Sequence, residues 1–129
     1  MKIRGEFDVK MSPQPAEEAA GPMGRFLLDK QYRGDLTGAS RGQMVAFRSA
    51  TAGSAGYVAM EQVTGTLAGR AGTFVLQHSS QMTGNVPTQS ITVVPDSGTG
   101  ELAGLSGSMI VDVVDRKHFY EFTYEIAKA

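Results

Sequence analysis

The chain of 129 residues contains no cysteine and no tryptophan, and it has only two histidines. Without cysteine, disulfide scaffolds, thiolate metal sites and cysteine nucleophiles are excluded. No apolar run is long enough for a signal-peptide core or a membrane span, so we expect a soluble, cytoplasmic protein with no membrane partner. The formal net charge is −1 and no basic stripe is visible, which argues against a nucleic acid partner.

Sixteen glycines lie among threonines and other β-branched residues, a composition typical of many short strands joined by tight turns. At this length we expect one domain, spanning residues 1–129. A period-2 alternation of apolar and polar residues is the pattern of a half-buried strand. It predicts a hairpin at 56–82 and further strands at 2–11, 25–36, 43–51, 88–95, 106–114 and 117–127.

The predicted hairpin at 56–82 is the most informative segment. If Ala68 pairs with Ala71 across a two-residue loop, each strand has one mainly apolar face and one mainly polar face. This agreement supports the register, because a one-residue slip would mix the two faces. The register sets Glu61 opposite His78, with both side chains on the apolar face that points inward.

The last hairpin passes the same test when Val114 pairs with Lys117. Seven or eight antiparallel strands in sequential hairpins, without a helix, favour an all-β fold that is a single up-and-down β-barrel of about eight strands, and a sandwich is the alternative. A barrel of this size has room inside for side chains or for one small ligand.

Extending the pairing across neighbouring strands predicts a row of inward side chains. A turn at 37–42 sets Tyr32 opposite Ala46, and a short connection to the fourth strand sets Ala46 beside Glu61. The row then crosses four strands as Tyr32, Ala46, Glu61 and His78, and the alanine leaves space in the middle of it.

Two basic residues, Lys30 and Arg48, are predicted to face each other one step nearer the mouth of the barrel. We interpret them as rim residues whose charged ends reach out to water. Alternatively, they attract an anionic head group.

Three segments carry a family resemblance: GYVAMEQVTGTLAGRAGTFVLQHSSQM, VVPDSGTGELAGLSGSM and HFYEFTYEI. Together they resemble the bacterial domain of unknown function 3224 family, over approximately residues 5–126. The resemblance implies a small barrel of the allene oxide cyclase type, calycin-like, often a homo-oligomer such as a dimer or trimer, with no established activity. No catalytic residue is carried over from the plant cyclases.

The leading hypothesis is that the barrel binds a small, mainly apolar molecule in its interior. Glu61 and His78 would form a polar floor that holds the polar group of the ligand or exchanges a proton with it. The plainer interpretation is a mutually satisfied buried pair that only fixes the strand register. The predicted ligand-contacting residues are Tyr32, Ala46, Tyr57, Glu61, Phe74, His78, Tyr120 and Tyr124.

Two further functions remain open. One is a cofactor-independent isomerase or cyclase that uses Glu61 and His78, and the other is a structural or protein-interaction module with a packed core. We expect no cofactor and no metal, because the two histidines and the glutamate lack a short ligand spacing. Outward apolar residues at Val45, Phe47 and Met60 would form the interface of a homo-oligomer.

Overall fold

The structure is a computed structural model that describes residues 1–127. Within these residues, eight antiparallel strands each pair with the next in sequence, and pairing of the first with the last closes the barrel. The predicted all-β, up-and-down barrel is therefore confirmed. The strands are β1 (Lys2–Pro13), β2 (Gly24–Gly34), β3 (Leu36–Arg48), β4 (Ala55–Leu67), β5 (Arg70–Thr83), β6 (Val86–Val93), β7 (Leu105–Val114) and β8 (Lys117–Ile126).

The only helical segments in the described part of the chain are two 3-10 turns, Glu18–Ala20 and Gly100–Leu102. No helix in that part is long and apolar enough to cross a membrane.

The two ends of the barrel differ in how they are filled. At one end, the β6–β7 loop lies against β5, where Thr99 N donates to Thr73 O at 2.8 Å. Leu102 in this loop is fully buried. We call the half of the barrel nearest this loop the closed half. Its inward side chains form a core that includes Ile3, Leu36, Leu67, Phe74, Leu76, Leu105, Met109, Phe122 and Tyr124.

The other half, which we call the open half, lies towards the β1–β2, β3–β4, β5–β6 and β7–β8 loops. Two inward-facing methionines at its mouth, Met11 and Met82, are 50% and 38% exposed. Apolar side chains that point into a barrel but stay partly exposed to solvent indicate that the interior is not filled at this end.

The predicted register of the central hairpin is wrong by two residues. Leu67 pairs with Arg70, so the loop consists of Ala68 and Gly69. Both loop residues have positive φ, 48° and 85°, as the tight hairpin turn requires. The prediction placed the loop one residue too late, at Gly69 and Arg70, because several nearby positions could supply the glycine that a tight turn favours.

The error leaves every side chain on its predicted face, because the partner of each residue shifts by two positions, an even number. Glu61 pairs with Leu76, and His78 pairs with Ala59. The acid and the histidine are therefore diagonal neighbours on the inward face and not a directly opposed pair. Cross-strand diagonal neighbours remain within reach of long side chains.

The turn predicted at 37–42 is also wrong, since this segment lies inside β3. The chain instead turns at Gly34, which has φ of 108°, so that Tyr32 pairs with Gly38. Gly38 and Gly42 are strand residues at close backbone approach, where a Cβ would overlap the backbone of β4. Glycine is favoured both in turns and where two backbones approach closely, and the prediction wrongly assigned Gly38 and Gly42 to a turn.

Ala46 is displaced as a consequence. It pairs with Tyr57, whereas Gly42 occupies the position beside Glu61. The predicted pairing of Lys30 with Arg48 is wrong as well, because Lys30 pairs with Ser40.

The last hairpin has the predicted register. Val114 pairs with Lys117, and Met109 pairs with Phe122. Its two loop residues, Asp115 and Arg116, have φ of 51° and 66°. This prediction is confirmed.

Candidate functional site

The centre of the candidate site is the carboxylate of Glu61, which points into the barrel from β4 and is 1% exposed. Lys30 Nζ donates to Oε2 at 2.7 Å, and His78 Nε2 lies 2.7 Å from the same oxygen. The Tyr32 hydroxyl donates to Oε1. We call Lys30, Tyr32, Glu61 and His78 the polar cluster.

Small residues on β3 make the polar cluster possible. Lys30 and Tyr32 lie on β2, two strands away from Glu61, a distance of about 10 Å across the sheet. The inward residues of β3 in between are Gly38, Ser40 and Gly42. Because these side chains are absent or short, the side chains of β2 reach across β3 to the carboxylate.

Lys30 is buried, contrary to the prediction that it lies on the rim. Its ammonium forms an ion pair with Glu61 and lies 4.8 Å from the centre of the Phe7 ring. The aromatic face and the carboxylate together replace the water that a buried ammonium loses. The prediction failed because the predicted β2–β3 register paired Lys30 with Arg48 and so placed it nearer the mouth than it lies.

Charge in the polar cluster is set by the neighbours of Glu61. Burial alone would raise the pKa of this carboxyl group, but the His78 hydrogen bond and the Lys30 charge outweigh it and lower the pKa to about 2. Burial and the Glu61 charge raise the pKa of Tyr32 well above its ordinary value, so its hydroxyl keeps its proton. Glu61 is therefore an ionised acceptor, and its three partners are donors.

The ionised carboxylate also fixes the orientation of His78. A carboxylate without a proton only accepts, so His78 Nε2 carries a hydrogen. In the neutral ring, the lone pair is then on Nδ1. No hydrogen-bond partner of Nδ1 is present within residues 1–127.

Ser40 adds a polar atom that the sequence analysis did not identify. It pairs with Lys30 and is fully enclosed. Its Oγ is the one buried side-chain polar atom in the described part of the chain without a hydrogen-bond partner. An inward serine between two inward glycines, GASRG, was the available signal for a polar site at this level.

Acid should destabilise the protein through Glu61. Its pKa is about 2 in the folded state against an ordinary value of 4.5. The stabilisation is therefore complete above about pH 4.5 and is lost as the pH falls towards 2, with a total on the order of 3 kcal/mol. Urea unfolding between pH 2 and pH 7 should show a steeper loss for the wild type than for Glu61→Gln. Parallel curves for the two proteins would contradict this assignment.

A cleft of about 560 Å³ lies at the mouth of the open half, and none of the four residues of the polar cluster is among its lining residues. Its inward-facing lining comes from Phe26, Ala46, Tyr57, Ser80 and Met82, its outward-facing lining includes Phe47, Gly56 and Gln81, and Arg48 is the one charged side chain that borders it. The volume is within the range of small-molecule sites.

Glu61 and His78 each have one small paired neighbour, Gly42 and Ala59, and one large buried neighbour, Leu76 and Ile91. The side chains of Lys30 and His78 keep 8% and 5% of their surface exposed, whereas that of Glu61 keeps none. Lys30 and His78 are therefore the members of the polar cluster with the most accessible surface.

A family model described as "Protein of unknown function (DUF3224)" matches residues 3–124. The chain belongs to the DUF3224 family. It is similar to the crystal structure of a DUF3224 protein of unknown function from Shewanella oneidensis MR-1, with 45% identity, a TM-score of 0.94 and coverage of 100% of this chain and 98% of that one. No curated protein matches this chain. The family predicted from the three sequence segments is confirmed.

The predicted site residues of this DUF3224 protein fall into three groups. Tyr32, Glu61 and His78 meet in the polar cluster. Ala46 and Tyr57, paired with each other, border the cleft.

The remaining three predicted residues, Phe74, Tyr120 and Tyr124, are buried in the core. Phe74 stacks on Phe122 with ring centres 5.9 Å apart. The Tyr120 hydroxyl donates to backbone carbonyls and accepts from Leu36 N at 3.1 Å. These rings contact other side chains and backbone, and they do not border the cleft.

Proposed function

We propose that this DUF3224 protein binds one small, mainly apolar molecule in the open half of its barrel. The observation that carries the proposal is the contrast between the two halves. The closed half is filled by a core, whereas the inward-facing Met11 and Met82 remain partly exposed and a cleft of about 560 Å³ lies at the mouth.

The inner end of the ligand would lie over the polar cluster. Glu61 already accepts hydrogen bonds from three side chains, so it acts on a ligand through its partners. Lys30 supplies N–H donors, and Nδ1 of His78 supplies an acceptor. A carbonyl or hydroxyl group at the inner end fits these two neighbours, with Tyr57 and Ala46 beside the apolar body. Phe74, Tyr120 and Tyr124 have no part in this proposal.

Replacing Ala46 with tryptophan should abolish binding, because the indole would fill the cleft. Native mass spectrometry after incubation with a mixed metabolite pool should show a bound small molecule on the wild type. We expect its retention to fall by at least about tenfold in Ala46→Trp, a loss of roughly 1.4 kcal/mol or more.

The matched control is Ala39→Trp, which makes the same substitution on the outward face of the same strand, between Gln31 and Thr64. This variant should retain the ligand. Equal retention by all three proteins, or equal loss in both variants, would refute a site at this cleft.

We also propose that the protein forms a homo-oligomer, a dimer or a trimer. The support is an outer apolar patch on β2, β3 and β4, in which Val45 pairs with Val58 and Gln43 pairs with Met60. The exposed side chains of this patch are Leu27, Val45, Phe47, Val58 and Met60. Exposed apolar surface shared by three strands is typical of an association surface.

Light scattering tests the role of the outer apolar patch. Phe47→Glu should shift the protein to the monomer, because a charge inside an apolar interface is costly to bury. Gln62→Glu, an added charge at an exposed position on β4, should leave the molar mass unchanged. A monomeric wild type would exclude this association.

Two broader proposals concern the type of barrel and the location of the protein. The barrel would be of the allene oxide cyclase type, supported by its up-and-down order and polar interior, and superposition on a plant cyclase would test this. A cytoplasmic location, with no nucleic acid or membrane partner, is supported by the absence of cysteine and the balanced charge.

A further inference from the structure

We propose that the open half also carries out proton transfer, with His78 as general base and Lys30 as the group that binds a carbonyl oxygen. The substrate class is a small, apolar ketone with an acidic hydrogen on the carbon beside the carbonyl. This inference rests on the proposed function, because the ketone must first enter the open half.

The base is the Nδ1 atom of His78. Its other ring nitrogen lies 2.7 Å from the ionised carboxylate of Glu61, which holds the hydrogen on Nε2 and leaves the lone pair on Nδ1. Nδ1 has no protein hydrogen-bond partner among residues 1–127. A carboxylate that orients an imidazole and stabilises its protonated form is the arrangement used in many general bases.

The electrophile is the ammonium of Lys30. One of its N–H groups is bonded to Glu61, and Nζ lies 4.8 Å from the centre of the Phe7 ring. Lys30 Nζ and His78 Nε2 contact the same oxygen, each at 2.7 Å, so these two nitrogens are separated by no more than twice that distance. In this proposal the substrate places its carbonyl oxygen at Lys30 and the neighbouring C–H group at Nδ1, on the far side of the imidazole ring from Nε2.

The chemistry needs no cofactor. His78 Nδ1 removes a proton from the carbon beside the carbonyl, and the C–H electron pair becomes a carbon–carbon double bond. The carbonyl π electrons move to oxygen, where Lys30 stabilises the enolate charge in a site with little water. The imidazolium then returns a proton to the same carbon, or to the far carbon of a conjugated system, and the ketone is regenerated.

Glu61 is a positioning residue in this scheme. Its side chain has no exposed surface, so it does not touch a substrate in the open half. It fixes the histidine tautomer and balances the imidazolium charge that forms during the transfer. The other titratable side chains at inward strand positions include Tyr32, Arg48, Tyr57, His118, Tyr120 and Tyr124, and none of these forms a hydrogen bond with His78.

Deuterium incorporation into 2-tetralone tests the proposal. The ketone is incubated with the full-length protein in D2O, and loss of its α-proton signals is followed by NMR. We expect the wild type to exceed the buffer rate by about 100-fold, the lower end of general-base effects. His78→Gln and Lys30→Met should fall to the buffer rate, whereas His118→Gln should behave as the wild type, because His118 lies against Phe7 and outside the polar cluster.

Binding of 2-tetralone, followed by amide chemical shifts in the same samples, separates the two proposals. Binding in the open half without exchange would overturn the proton-transfer inference and leave the proposed function standing. Absence of binding for both the ketone and the metabolite pool would overturn the proposed function itself. Equal exchange by His78→Gln and the wild type would also overturn the inference.

A second measurement keeps the inference testable if a variant does not fold. The ¹⁵N shifts of the neutral His78 ring in the wild type should show the hydrogen on Nε2 and the lone pair on Nδ1. Glu61→Gln should mix the two tautomers and slow exchange without preventing ketone binding. A wild-type ring with the hydrogen on Nδ1 would overturn the inference.

Discussion

Replacing Glu61 with leucine should lower the free energy of unfolding by about 3–5 kcal/mol, the usual cost of breaking a buried ion pair by removing one partner. The Lys30 ammonium would remain buried without its counter-charge. The Tyr32 hydroxyl and His78 Nε2 would lose their acceptor as well. Guanidinium unfolding at pH 7 measures the loss.

The matched control is Glu125→Leu, on the outward face of β8, where the glutamate is exposed. It should change the free energy of unfolding by less than about 0.5 kcal/mol. Replacing three members of the cluster together, as Lys30→Met, Glu61→Leu and His78→Leu, should recover much of the stability, because an apolar core is often as stable as a buried ion pair. Equal effects of Glu61→Leu and Glu125→Leu would contradict the role assigned to the polar cluster.

Replacing Phe122 with alanine should cost about 3–5 kcal/mol, the range for truncating a large buried aromatic side chain. Phe122 has no exposed surface. Its ring stacks on Phe74 and on Tyr124, with centres 5.9 Å and 5.4 Å away. The residues packed around Phe122 are themselves buried in the core, so we expect the cavity to stay largely open and the loss to appear as a shift of the urea midpoint.

Phe47→Ala is the comparison for Phe122→Ala, since it removes the same ring from a position that is 43% exposed. It should cost less than about 1 kcal/mol. The Phe122→Ala protein, under conditions where it remains folded, should still bind the ligand of the open half. If both phenylalanine variants lost equal stability, the division into a packed half and an unfilled half would be wrong.

The interior of the barrel could be predicted from the sequence because the period of a strand is two. Any error of an even number of residues keeps every side chain on its face. The central hairpin was misplaced by two residues, yet Glu61 and His78 remained inward and in contact. The last hairpin was placed correctly, because no glycine lies near Asp115 and Arg116 to offer a second position for the turn.

Which inward residues lie at the same level along the barrel axis could not be predicted in the same way. Gly38 and Gly42 resemble turn residues in sequence, and only the packing of β3 against β4 shows that they allow close backbone approach. This ambiguity moved Ala46 into the site and Lys30 out of it. A lysine on an inward face is usually placed at a rim, unless its buried partner is already known.

The most direct test of the central claim is amide chemical-shift mapping of the wild-type protein with the small molecule that it retains from a metabolite pool. A ligand in the open half should produce its largest shifts at Ala46, Tyr57 and Ser80, with smaller ones at His78. Shifts confined to the part of the outer apolar patch outside the cleft, around Leu27, Val58 and Met60, or shifts at no inward position, would contradict the account.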